Sequence, residues 1–179
     1  MGEIGDAINL ASLGAITTKS ITKDPRIGNE PVRITDLPHG MMNAIGLAND
    51  GINAFVEQYA PKAASLPTIV IGSIAGDTIE NYVAVATAMN EIDSIPLVEI
   101  NVSCPNTANG LEFGGCPKQL SSLLNEIRPV LTNTGMIVKL SVATGDIRPH
   151  AEAAINCGAN ALTLINTIPS LGIDVESRR

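Results

Sequence analysis

Five short segments rich in β-branched residues recur along the chain, and helical patterns fill the gaps between them. GAITTKS (14–20), PTIVIGSIA (67–75), LVEINVS (97–103), GMIVKLS (135–141) and ALTLINT (161–167) read as strands. GINAFVEQYAPKAA (51–64) reads as a helix with Pro61 near its end, and DTIENYVAVATAMNEI (77–92) as a second. In the second, Asp77 is placed to cap the helix, with Glu80 three residues on in a capping box. PKQLSSLLNEIRPVL (117–131) starts with a proline suited to a first turn, and DIRPHAEAAINCG (146–158) ends at a glycine suited to the position after a helix. Parallel strands need a crossover between them, and a helix is the usual one, so this alternation predicts βαβ units and a parallel sheet. Residues 23–49 break the beat. They hold three Pro and three Gly without helical period, and read as a long insertion with short strand pieces, of a kind more often functional than idle.

Composition fits that architecture. The 179 residues suffice for one domain spanning the chain (1–179) with a real core. Hydrophobic residues make up 45%, aromatics only 2%, and Trp is absent, so the core must be built from Ile, Val, Leu and Ala. A net charge of −7 and the scarcity of stacking aromatics argue against nucleic-acid binding. No run of 18 apolar residues is present, so no membrane span is expected. The segment MGEIGDAINL lacks the pattern of a secretory signal and of a myristoylation site. Three widely spaced cysteines, Cys104, Cys116 and Cys157, fit a reducing, cytoplasmic setting. With no CxxC or HxxxH pair, no metal site is expected.

Each strand ends polar: Lys19–Ser20, Ser73, Asn101–Ser103, Lys139 with Ser141, and Asn166–Thr167. Ligands bind at the carboxyl ends of strands in doubly wound sheets and in (β/α)₈ barrels alike. A terminal Asn or Ser is ordinarily a turn-former, but five coincident polar ends describe a pocket. Lys19 and Lys139 lie among β-branched neighbours, and could serve a ligand anion or snorkel to solvent. Asn43, Asn101, Asn106 and Asn166 each offer an amide donor and an acceptor suited to the edge of a flat heterocycle. Cys104 follows a strand and precedes a proline, so it reads either as a small buried hydrophobe or as a working thiol. Cys116, in GGCPK, reads as structural or as a loop thiol, Cys157 reads as packing, and His39 and His150 have no visible partners.

The blocks TKS (18–20), NAIGL (43–47), NVSCPN (101–106), VKLS (138–141) and LINT (164–167) resemble, in order and spacing, the class 1 dihydroorotate dehydrogenases. NTANGLEFGGCPKQL (106–120) is similar to the subclass that works with an FAD- and iron–sulfur-containing electron-transfer subunit and NAD, although fumarate-linked relatives share most motifs. The resemblance implies a (β/α)₈ TIM barrel with FMN, oxidising dihydroorotate to orotate in pyrimidine biosynthesis, in a protein that usually forms a homodimer. It implies Cys104 as the catalytic base for the C5 proton while C6 gives hydride to flavin N5. It implies Lys19, Asn43, Asn106, Asn166 and Thr167 at the substrate, together with the backbone of Ile45, Gly46 and Leu47. Lys19, Ser20, Asn101, Lys139 and Ile165 would meet FMN.

A full barrel of this kind takes roughly 250 residues. The recognised blocks correspond to its second through sixth strands, without the first and the last two. The expectation is therefore a partial barrel of about five βα units, a fragment of a longer product. A dihydropyrimidine dehydrogenase domain is a related reading, but such domains tend to carry His where Asn106 stands. A flavin barrel acting on tRNA would want a basic surface. An inactive fragment that serves only as an interaction piece is the non-enzymatic alternative.

Overall fold

The computed structural model describes residues 7–102, 113–142, 145–168, 170–173 and 176. Its centre is a five-stranded parallel sheet in the order β1-β4-β5-β6-β7. The strands are β1 (Ala15–Thr17), β4 (Ile69–Ile74), β5 (Leu97–Asn101), β6 (Gly135–Leu140) and β7 (Ala161–Leu164). All five predicted strands are present, each shorter than its apolar segment. β2 (Ile34–Leu37) and β3 (Gly40–Asn43) form a separate antiparallel hairpin inside the predicted insertion.

Spatial order within the sheet follows sequence order, as in a barrel wound in one direction rather than a sheet doubly wound from its middle. The two faces of the sheet differ accordingly. Val70, Ile74, Val98, Ile100, Met136, Val138 and Leu140 alternate onto one face and are buried. The helices cover this face. α2 (Ile79–Asn90) presents Tyr82, Val85, Ala86 and Met89, and α3 (Pro117–Ile127) presents Leu120, Leu123, Leu124 and Ile127. Both sets follow the i, i+3, i+4, i+7 stripe of an amphipathic helix, and each of these side chains is fully buried. Fully burying one such Leu or Val contributes about 1.5–3 kcal/mol. Gly72 faces the same way, and the space a Cβ would fill is taken by Met89 and Ile95. α4 (Arg148–Asn156) adds Ala153 and Ala154 and packs on α3. The opposite face carries Ser73, Glu99, Asn101, Lys139 and Thr163. With helices on one side only among the described residues, the sheet is a partial (β/α) barrel, and this second face is its interior.

Local chemistry explains the element ends. Thr78, not Asp77, caps α2: Thr78 has extended backbone and its hydroxyl accepts from the Asn81 N–H at 3.2 Å. The Asp77 carboxylate is instead 2.8 Å from Arg26 in a salt bridge. α1 runs through Gly51–Ala54, a wider π-helical turn at Phe55–Tyr59, and Ala60–Ala64. Pro61 lies in the last turn of this helix, near its end as the sequence suggests. The wide turn before it relieves the clash of a helical proline with the preceding turn. Gly158 has φ +86°, the left-handed residue just past α4 that the sequence suggests. Cys157 at the end of α4 packs against the core, while Cys116 stands at the cap position of α3.

Candidate functional site

At the carboxyl end of the sheet the inward polar residues form one hydrogen-bonded chain. Glu99, in the middle of β5, is 95% buried. Thr163 of β7 donates to its Oε2 at 2.7 Å, and Ser73 of β4 donates to its Oε1 at 3.2 Å. The Ser73 hydroxyl is 2.9 Å from that of Ser20. Ser20 Oγ accepts from Asn101 Nδ2 at 3.0 Å, and Asn101 Oδ1 accepts from Asn166 Nδ2 at 3.3 Å. Four strand ends distant in sequence thus meet through side chains.

The backbone beneath them is fixed as well. The Tyr82 hydroxyl, from α2, donates to the Asn101 carbonyl at 2.8 Å, and its ring stands edge-on to Phe113. The Asn166 N–H donates to the Leu140 carbonyl at 3.0 Å and the Ser73 N–H to Thr18 Oγ1 at 2.9 Å. Lys139 is half-buried, and the strand register sets it between Asn101 and Thr163. Ile165 and Thr167 flank Asn166 and are exposed.

The loop after the hairpin forms a second part of the rim. Asn43 closes β3 and is exposed. Ile45, Gly46 and Leu47 follow in a turn with φ of +76° at Gly46 and 56° at Leu47. A Cβ on Gly46 would lie 2.8 Å from Asn29, whose N–H donates to the Ile45 carbonyl and whose amide donates to the Ala44 carbonyl. Asn49 anchors the other end. Its Nδ2 donates to the Leu47 carbonyl at 2.7 Å, and its Oδ1 accepts from the Thr22 and Gly51 N–H groups.

Lys19 is exposed, and with Arg26, Asn49 and Tyr59 it lines an open cavity of about 570 Å³ between β1 and α1. There Tyr59 donates to Asp50 at 2.6 Å. That hydrogen bond, then the carboxylate charge, holds the phenol above its ordinary pKa. Cys104 and Asn106 lie outside the described residues.

The structure therefore brings together Ser20, Asn101, Lys139 and Asn166 of the residues singled out from sequence, and places Asn43 and Ile45–Leu47 on a separate loop. Sequence reasoning passed over Glu99, Thr163 and Asn49. For Glu99 the signal was present: an acid in the middle of LVEIN, a run otherwise fit for burial.

An inward face of amides, hydroxyls and a lysine, at the carboxyl ends of a singly wound parallel sheet, is that of a partial (β/α) barrel, at the end where barrel proteins bind their ligands. The sequence matches the family described as Dihydroorotate dehydrogenase over residues 1–179. The chain belongs to the dihydroorotate dehydrogenase family. Among its relatives, the dihydroorotate dehydrogenase B (NAD(+)) catalytic subunits of Desulforudis audaxviator and Carboxydothermus hydrogenoformans are each 42% identical over 178 residues. That alignment covers 99% of this chain and 58% of each relative. The corresponding subunit of Bacteroides thetaiotaomicron is 40% identical over the same length. The chain thus spans somewhat over half the length of the curated relatives it matches. Among the described residues no helix is long and apolar enough to cross a membrane.

Proposed function

We propose that this chain supplies the substrate- and flavin-facing part of a dihydroorotate dehydrogenase, oxidising dihydroorotate to orotate. The observation that carries the reading is the Ser20–Asn101–Asn166 hydrogen-bonded set at the mouth of the half-barrel, in a chain of this family. The donor set suits FMN. A flavin ring presents carbonyl and ring-nitrogen acceptors along one edge, and Asn101, Ser20 and half-buried Lys139 offer amide, hydroxyl and ammonium groups there. When bound, FMN supplies the acceptor for the hydride that leaves C6 of the substrate.

The protein's own groups do the rest. Lys139 places a fixed positive charge beside the amides, where negative charge accumulates on reduction. Asn43 and Asn166 orient the pyrimidine ring, with Asn106, Thr167 and the backbone of Ile45, Gly46 and Leu47, which lowers the entropy of reaching a reactive geometry. Lys19 would face the substrate carboxylate and Ile165 would be among the residues that hold the flavin. Cys104, just beyond the end of β5, takes the C5 proton. A thiol there needs an environment that favours its thiolate to act as a base near neutral pH. Electrons pass to NAD through a separate electron-transfer subunit, as the names of the related catalytic subunits suggest.

The test is anaerobic bleaching of the flavin absorption band when dihydroorotate is added to the FMN-loaded chain. Cys104→Ser should retain FMN and bleach more slowly at neutral pH, because Ser is a much weaker base of similar size. Failure of the unmodified chain to take up FMN, or full-rate bleaching by Cys104→Ser, would overturn the assignment.

A further inference from the structure

We propose that Asn49 is a positioning residue whose amide holds Leu47 in a left-handed backbone conformation and so sets the shape of the turn at residues 45–47. That the turn meets a substrate rests on the function proposed above; the hold of Asn49 on the turn does not. Two consecutive residues there have positive φ, +76° at Gly46 and 56° at Leu47. Glycine takes such angles freely, but in a leucine they crowd the Cβ against the following carbonyl oxygen. A leucine stays there only where its surroundings enforce it. The turn's own N–H groups enforce nothing: among the described residues, those of Gly46 and Leu47 donate to no protein group. Its carbonyls carry the restraint. Asn29 binds the carbonyls of Ala44 and Ile45, which precede the two left-handed residues. The Leu47 carbonyl, which follows them, accepts from Asn49 Nδ2 at 2.7 Å.

Asn49 can act as an anchor because the rest of it is tied down. Its own N–H donates to the Arg26 carbonyl at 2.9 Å, and its carbonyl accepts from the Arg26 N–H at 2.8 Å. Its Oδ1 accepts from the Thr22 N–H at 3.1 Å and from the Gly51 N–H at 2.9 Å. A backbone N–H only donates and a backbone carbonyl only accepts, so these partners decide which end of the amide is which. The Thr22 hydroxyl touches both ends, Nδ2 at 2.9 Å and Oδ1 at 3.2 Å, and does not discriminate between them. The segment after β1, the turn and the start of α1 thus meet on one side chain. Within that junction, the bond to the Leu47 carbonyl is the one that reaches the turn.

Asn49→Asp keeps an acceptor for the Thr22 and Gly51 N–H groups and replaces the donor with an oxygen that repels the Leu47 carbonyl. Asn49→Ser is shorter by one atom and brings no charge. The first experiment is NMR on the full 179-residue chain, ¹³C,¹⁵N-labelled and ligand-free. Its readout is the Cα and Cβ shifts of Leu47, which follow the backbone angle of that residue. The Asn133 N–H, which donates to Asn90 at 2.8 Å, is the control for the fold. Both variants should move Leu47 away from its left-handed values while Asn133 stays in place. If Leu47 keeps its wild-type shifts in either variant, the proposal is wrong, and each variant decides where the other fails to fold.

The second experiment reads binding to the FMN-loaded chain, with orotate as the probe. Both variants should weaken orotate about tenfold, the effect of losing one well-placed hydrogen bond, and leave FMN affinity unchanged. Because Asn49→Ser adds no charge, a loss shared by both variants is not repulsion of an anionic probe. Equal weakening of orotate and FMN would mean that Asn49 only supports the fold, and would overturn the positioning role. If the wild-type chain binds no orotate, the functional reading fails, and the Leu47 shifts still decide the role of Asn49.

Discussion

A single lysine illustrates what the polar ends of the strands contribute. Lys139 lies on the inward face between Asn101 and Thr163, two residues along the strand from the level of Glu99. Removing its ammonium leaves the neighbouring amides in place and takes away the fixed positive charge. Lys139→Ala should therefore weaken FMN retention about tenfold or more while leaving the melting temperature nearly unchanged, as dialysis followed by absorbance and a thermal scan would register. Unchanged flavin content would remove Lys139 from the site. Much of the polar cluster of the candidate site was legible at this scale because strand-terminal Lys, Asn and Ser are visible as breaks in an apolar run. Glu99 was harder to read. Its significance depends on Ser73 and Thr163, which are 26 and 64 positions away and become neighbours only when β4 and β7 take their places in the sheet.

At the scale of elements, the alternation of strand and helix was plain from periodicity, and the ends were not. Apolar segments overrun their strands because residues such as Thr18 and Val102 stay extended or buried after the ladder has ended. The start of α2 is a sharper case. Asp77 and Thr78 are both acceptable caps, and the choice was made by Arg26, which reaches Asp77 from 51 residues away. Thr78→Ala should accordingly destabilise the chain by about 1 kcal/mol in urea unfolding.

The same variant has a second signature. Glu80 is held below the ordinary carboxylate pKa, first by a hydrogen bond from its own backbone N–H and then by the Thr78 hydroxyl. A lowered folded-state pKa means that this pairing is fully present above the unfolded value and is lost as pH falls through the folded one. In Thr78→Ala the Glu80 carboxyl should titrate closer to its ordinary value, which carboxyl NMR against pH would show. An Asp77→Ala variant should weaken the contact to Arg26 and leave Glu80 where it is.

At the scale of the molecule, one face of the sheet is closed by helices and its two flanks are not. Among the described residues β1 pairs only with β4 and β7 only with β6, so each presents a row of unpaired backbone groups along one side. Leu164 at the end of β7 is 60% exposed, as are large parts of Ile168, Leu171 and Ile173 beyond it. The 179-residue chain should self-associate as its concentration rises, and light scattering behind a sizing column would detect it. Leu164→Lys should reduce that association; a monomer at all concentrations in the unmodified chain would show that the flanks are already protected.

The order of strands in the sheet also bears on how the chain is made. β4, β5, β6 and β7 each pair with the strand that precedes them in the sheet's own sequence. A chain emerging from the ribosome therefore completes each βα unit beside a neighbour already outside the exit tunnel, and no strand after β4 waits for a distant partner. The exception is β1. Its partner begins at Ile69, after the hairpin and α1 have been synthesised. The polar series around Glu99 is complete only when Thr163 and Asn166 arrive, so the inward polar face takes its final form only after the strands that begin it have been made.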